Sequence, residues 1–245
     1  MLDLSVKPFS VIIPLIPTHD VDFRQLLRYL SRESDLIQEI IICRSETKLT
    51  SVKKVEKKYQ RWANSYGIDA NIVLAPFEEQ AWDGTNRNRG IELARAKYIA
   101  FLDADDLYSE GMLNTFLRVF EKYECDAILH NYCLAQAELA SDVEIGTDSL
   151  QNLIYDSSST SLDFSTPILL ELSDVIPQIH HAHLTVRKNS LAARYLGIFP
   201  GADTEFCKRL IQSGLSTVYI PDPISYWNRK RSIRYKVRLL KRKLL

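Results

Sequence analysis

Residues 84–106 read GTNRNRGIELARAKYIAFLDADD, and this stretch decides the fold. Thr85 to Ala96 reads as a helix, and Lys97 to Leu102 is a short apolar run that reads as a buried strand. The strand runs straight into Asp103, Ala104, Asp105 and Asp106, which holds three carboxylates at a strand end. Oxygen ligands of this kind suit Mg²⁺ or Mn²⁺, ions that bridge phosphate oxygens. The same residues also suit a plain turn, with Asp106 capping a helix that begins near Ser109 and Glu110. Arg87 and Asn88 fall at the start of the preceding helix, where unpaired N–H groups and the helix dipole favour an anion. Because Arg89 and Arg95 share that helix, a solvated basic face is the competing account.

Working outward, the pattern repeats. Phe9 to Pro14 (FSVIIP), Glu39 to Cys43 (EIIIC) and Ala70 to Ala75 (ANIVLA) are short apolar runs that read as buried strands. Between them, Asp20 can cap a helix with Phe23, Leu26, Leu27 and Leu30 at helical spacing. A Lys- and Glu-rich helix from Leu49 to Tyr66 stops at Gly67. After the acidic cluster come a helix from Glu110 to Tyr123 and a strand from Asp126 to Asn131. Residues 135–179 are dense in Ser, Asp and Thr and read as irregular, and no internal repeat is present. Strands alternating with helices imply an α/β fold with a largely parallel, doubly wound sheet. Ligands of such sheets bind beyond the carboxyl ends of the strands, where Asp103 sits.

With 245 residues, 46% hydrophobic and 25% charged, the chain can bury a full core. Its four cysteines lie far apart without zinc-ligand or disulfide spacing, which suits a reducing cytoplasm. The N-terminal stretch has no basic leader and is punctuated by Pro8, Pro14 and Pro17, unlike a signal peptide. No run approaches the roughly 18 apolar residues of a membrane span. A net charge of zero conceals an asymmetry: residues 229–245 hold nine Lys or Arg and no acid, leaving 22 basic against 31 acidic residues elsewhere. Within that tail Ile233, Val237, Leu240 and Leu244 form one helical stripe, so residues 229–245 read as a basic amphipathic helix. Its partner is an anionic membrane surface, such as the inner face of the cytoplasmic membrane, or else the helix packs on the domain. Tyr235 is its one aromatic, which argues against nucleic acid.

The stretch 84–106 resembles the family 2 glycosyltransferases of the GT-A fold, matching their pattern at Arg87, Asn88, Gly90, Ala94, Tyr98, Ile99, Phe101, Leu102, Asp103, Asp105 and Asp106. FSVIIP fits the family's first strand, GADTEFCKRLIQSG at 201–214 its acidic helix start, and SYWNRKRSIR at 225–234 an aromatic and Arg segment. The resemblance implies a Rossmann-like, mostly parallel sheet flanked by helices in a single domain over residues 1–228, with a donor-binding half (1–133) and an acceptor-binding half (134–228). It also implies an inverting enzyme that moves a sugar from a nucleotide donor, with UDP the expected nucleotide, to an acceptor hydroxyl in surface polysaccharide, lipopolysaccharide or glycoconjugate synthesis. The acceptor would be a saccharide or a lipid-linked saccharide. By the same resemblance Asp203 is the general base. Pro14, Arg87, Asn88, Asp103 and Asp105 bind the donor, and Asp105 with Asp103 holds Mn²⁺ or Mg²⁺. His181, His183 and Glu205 border the acceptor.

Three departures qualify the match. The second strand ends Cys43, Arg44, Ser45 rather than in an acidic residue that holds the base, so Glu46 or backbone groups take that role. Ala202 replaces an acidic neighbour of the catalytic Asp. No His follows His183, so Arg229 or Arg231 supplies positive charge to the diphosphate. The losses at Arg44 and Ala202 motivate a second reading, a catalytically silent GT-A scaffold that serves as a carbohydrate-binding or partner subunit. A sugar-nucleotide pyrophosphorylase is disfavoured, because no Gly-rich loop with a following Arg and Lys comes after the first strand.

Overall fold

Seven consecutive buried residues, Phe9–Leu15, form β1, and their side chains divide between two cores. Phe9, Val11, Ile13 and Leu15 enter one and Ile12 the other, because successive strand side chains point to opposite faces. The computed structural model describes residues 6–134, 168–170, 184–191, 193–196 and 202–227. Its further strands are β2 (Ile37–Arg44), β3 (Asn71–Pro76), β4 (Tyr98–Phe101), β5 (Leu107–Tyr108), β6 (Ala127–Leu134), β7 (Ile168–Leu170), β8 (Leu184–Arg187) and β9 (Thr217–Trp227). They form one sheet in the order β3-β2-β1-β4-β8-β6-β9-β5, with β7 also paired to β9.

The expected parallel run is present in β3-β2-β1-β4. Beyond it β8 is antiparallel to both neighbours, β4 and β6, while β6 and β9 are parallel to each other. The sheet is therefore mostly parallel, with antiparallel β5, β7 and β8. Strand β9 was not expected from the sequence. Pro221 and Pro223 interrupt its apolar pattern, and the register slips opposite Asn131 accommodate them. Nor was β7, which lies in the region read as irregular.

Helices cover both faces. On one lie α1 (Asp20–Leu30), α2 (Val52–Ser65) and α4 (Met112–Tyr123), which bring Phe23, Tyr59, Phe116 and Phe120 onto the sheet. The other carries α3 (Asp83–Leu93) and α5 (Ala202–Gln212), with Ile91, Phe206 and Leu210. The α3 helix fits because Gly90 has no side chain: a Cβ there would lie 2.5 Å from Ile12 Cγ2 and 3.0 Å from Cys43 Sγ. At its far end Glu39 Oε1 accepts from the Arg95 N–H (2.6 Å) and the Ser10 hydroxyl (2.7 Å), aiming the chain into β4. The stop at Gly67 is as expected. Its φ of 72° is left-handed, and the Ile68 N–H returns to the Ala63 carbonyl at 3.0 Å.

Two expected caps are corrected. Asp20 is the first residue of α1 rather than its cap, and its carboxylate accepts from the Tyr59 hydroxyl at 2.5 Å and from Lys58. Asp106 caps no helix: α4 begins only at Met112, behind Gly111 at a φ of 74°. The buried Glu33 carboxylate performs that capping from outside, accepting from Leu113 N–H (3.2 Å) and Asn114 N–H (2.8 Å).

Candidate active site

Between β1 and β4 the strand order reverses: the chain leaves β1 for β2 and β3, then returns on β1's other side as β4. The crevice at that switch point opens at the carboxyl ends, where Asp103 follows β4. Leu102 extends the ladder one step, its N–H bonding the Ile12 carbonyl at 3.1 Å. The turn beyond it is tight. The Asp106 N–H reaches the Asp103 carbonyl at 3.4 Å, and the Tyr108 hydroxyl accepts from the Asp103 N–H at 2.6 Å. Burial, then the charges of Asp106 and Asp103, push the Tyr108 phenol well above its ordinary value, so it remains neutral. Asp106 is buried, whereas Asp103 and Asp105 are half-buried.

Arg87 is 1% exposed and forms an ion pair with Asp103 Oδ1. Burial opposes its charge, but Asp103, Asp83, Tyr195 and Asp203 outweigh that and raise its pKa. The Arg87 Nε is buried without a hydrogen-bond partner among the described residues. The expected placement of Arg87 and Asn88 at a helix start is corrected: they are the fifth and sixth residues of α3, past the unpaired N–H groups of the first turn. The Asn88 amide is occupied by backbone, its Nδ2 donating to the Tyr195 carbonyl (2.9 Å) and its Oδ1 accepting from the Tyr195 N–H (2.8 Å).

At the end of β2, Arg44 is buried, donates to the Thr47 hydroxyl and lies 3.8 Å from Asp20. Ser45 accepts from Asn86 Nδ2 (2.8 Å) and from the Ala81 N–H (3.2 Å), tying the 77–82 loop and α3 to this strand end. Glu46 takes a left-handed φ of 54°, a costly backbone for a residue with a Cβ, and its N–H bonds the Glu79 carbonyl at 3.2 Å. Pro14 is buried in β1, in register with Cys43 one residue before the strand ends.

Asp203 stands in the first turn of α5, half-buried, with its Oδ1 accepting from the Thr204 N–H at 2.8 Å. Its charge is the last-ranked of those that raise the Arg87 pKa, behind Asp103, Asp83 and Tyr195. Glu205 is engaged by Arg209, whose Nη2 donates to Oε2 at 2.8 Å. His181, His183, Arg229, Arg231 and residues 229–245 lie outside the described residues. Sequence reasoning missed Tyr108 and Tyr195. Tyr108 could have been found as the aromatic five residues past Asp103, whereas nothing local marks Tyr195.

Among the described residues no three His, Cys, Asp or Glu side chains converge on a metal position. The half-buried carboxylates of Asp103 and Asp105, two residues apart, still suit Mg²⁺ or Mn²⁺, which take one or two protein oxygens and complete their shell from phosphate and water. No helix among the described residues is long and apolar enough to cross a membrane.

The family model for Glycosyl transferase family 2 matches residues 10–142, over half the chain. An uncharacterized glycosyltransferase of Escherichia coli K12, YibD, is 36% identical over 113 residues, covering 46% of this chain and 30% of its own. A putative teichuronic acid biosynthesis glycosyltransferase of Bacillus subtilis, TuaG, is 28% identical over 91 residues, covering 37% and 36%. The chain thus spans about a third of the length of these curated relatives. Among solved structures, S. aureus TarS (residues 1–349, with UDP-GlcNAc) superposes with a TM-score of 0.63 at 15% identity, over 90% of this chain and 58% of that one. A Pyrobaculum calidifontis mannosyltransferase with GDP-Man and Mn²⁺ gives 0.59 at 15% identity, over 92% and 58%.

Proposed function

The chain belongs to glycosyl transferase family 2, and from that premise we propose that it transfers a sugar from a UDP-sugar to a saccharide hydroxyl with inversion, in surface-polysaccharide, lipopolysaccharide or glycoconjugate synthesis. The observation that carries this reading is the pair of carboxylates at the topological switch point, with Asp103 held by a wholly buried Arg87. Asp105 and Asp103 would hold Mn²⁺ or Mg²⁺ against the donor diphosphate. When bound, the ion neutralises the charge that grows on the leaving nucleotide.

The chain's own residues supply the rest. Asp203 takes the proton of the acceptor hydroxyl as its oxygen bonds to the anomeric carbon, and the carbon–oxygen bond to the diphosphate breaks on the opposite face. Arg87 acts through Asp103, fixing that carboxylate's rotamer and balancing its charge. Arg229 and Arg231 would face the diphosphate, and residues 229–245 would hold the enzyme on an anionic membrane where a lipid-linked acceptor resides. At the β2 end the backbone N–H groups of Ser45, Glu46 and Thr47 are already bonded within the chain, which leaves the Glu46 carboxylate as the group offered to the base.

Incubation with Mn²⁺ and UDP-GlcNAc, UDP-glucose or GDP-mannose tests this by nucleotide release, with Asp203→Asn expected to lose about 100-fold or more. No turnover with any donor, together with no nucleotide binding by calorimetry, would falsify it. If Asp203→Asn retains full biological activity, the silent-scaffold reading replaces it.

A further inference from the structure

Building on Asp203 as the base and on the 103–106 turn as the donor side, we propose that Tyr195 is a positioning residue that locks these two sides of the site together. Tyr195 belongs to neither carboxylate-bearing element: it lies in residues 193–196, between β8 and α5. Its backbone is clamped at both the N–H and the carbonyl by the Asn88 amide. Its Cβ rests against α3 at Gly84, where an added Cβ would come within 3.0 Å of it and 3.2 Å of the Leu196 carbonyl.

Three contacts of the ring then reach the chemistry. One face stacks on Phe206 at 3.8 Å and 19°, and Phe206 is three residues after Asp203 on α5. Phe101, the last residue of β4 and two before Asp103, meets it edge-on at 5.8 Å and 79°. The Arg87 guanidinium, paired with Asp103, sits 5.9 Å from the ring centroid. Strand β4, the cation behind Asp103 and the helix that carries Asp203 therefore share one buried aromatic as their common neighbour. The Tyr195 hydroxyl is buried and has no hydrogen-bond partner among the described residues, and the three contacts above are all made by the ring. Aligning an acceptor oxygen with an anomeric carbon is sensitive to such placement, since a shift of about 1 Å costs roughly 100-fold in rate.

The test compares nucleotide release from the same donors with Mn²⁺ in Tyr195→Leu, which removes the ring, Gly84→Ala, which pushes on its Cβ, and Tyr195→Phe, which keeps it. Tyr195→Leu is expected to lower kcat by about 100-fold with donor KM within about twofold, and Gly84→Ala by a smaller factor. Rescue to wild-type kcat is expected of Tyr195→Phe. Should Tyr195→Leu not fold, Gly84→Ala carries the comparison. Loss that merely tracks the folded fraction in thermal melts, or Tyr195→Phe as damaged as Tyr195→Leu or Gly84→Ala, overturns the proposal.

A second readout needs no turnover. In ¹⁵N-labelled protein, Phe206→Leu should shift the Arg87 Nε–H resonance in the wild-type background and leave it unmoved in Tyr195→Leu. If Tyr195→Leu does not fold, Gly84→Ala alone should move the resonance. If no donor is turned over, the functional reading fails, while the resonance still decides whether Tyr195 couples the two sides. An Arg87 signal indifferent to Phe206→Leu, or to Gly84→Ala, overturns that coupling.

Discussion

Helices α2 and α3 each follow a strand and lie against the sheet, yet they are built on opposite principles. The α2 helix buries only Tyr59 and Ala63 and turns Lys53, Lys54, Lys57 and Arg61 to solvent. By contrast, α3 buries Gly84, Asn86, Arg87, Gly90 and Ile91, a set with one large apolar member. In α2 the hydrophobic effect chooses the buried face. Specific partners choose it in α3: Ser45 for Asn86, Asp103 for Arg87, and the bare backbone of Gly90 against Ile12. A helix that covers a sheet tolerates substitution, whereas one that carries the site is held residue by residue.

The contrast is broken most directly at Arg87. Arg87→Met leaves the half-buried Asp103 carboxylate without its buried partner and is expected to cost about 3 kcal/mol in urea unfolding. An equal loss from Lys57→Met on α2 would erase the distinction. Next comes Cys43, packed under Gly90 with its thiol pushed up to about 12 by burial, against an ordinary 9.0. Since the folded value is raised, the stabilising neutral thiol is fully present below the ordinary value and is lost as pH rises towards 12. Alkylation of native protein at about pH 8 should therefore leave the Cys43 peptide unlabelled, with thiolate about a thousand-fold scarcer than in a free cysteine. Mass-spectrometric labelling comparable to the unfolded chain would show that α3 opens.

Smaller effects sharpen the comparison. Gly90→Ala should cost about 2 kcal/mol by crowding Ile12, although alanine is the better helix former. Gly67→Ala, with open space around its Cβ but a φ of 72°, should cost about 1 kcal/mol from backbone strain alone. Thermal melts that reverse that order would mean that the sheet yields to α3 more easily than the turn yields to a side chain. Least of all, Lys53→Ala with Lys57→Ala should stay within about 0.5 kcal/mol in urea.

Much of the fold was legible because its strands are apolar runs and its covering helices have regular spacing. Apart from the unread β5, the 9–123 portion reads element by element, with ends displaced by a few residues, as at α3 and α4. Strand β9 was not, since two prolines break its pattern and only pairing with β6 draws it into the sheet. Within the site, Asp103 and Asp105 announce themselves by following an apolar strand. The turn that holds them owes its shape to Tyr108, whose hydroxyl closes it only after β5 pairs with β9.

The amino-acid sequence by itself determined the α/β alternation, the strand that ends in Asp103 and the family to which the 84–106 motif points. These are local properties, set by the period of apolar residues and by short-range spacing. Tertiary structure alone decided that Arg87 turns inward to Asp103, that Asn88 is occupied by the Tyr195 backbone, and that Glu33 rather than Asp106 caps α4. A buried charge or amide takes whichever partner the fold brings within hydrogen-bond reach, and those partners here lie 16, 107 and 81 residues away along the chain.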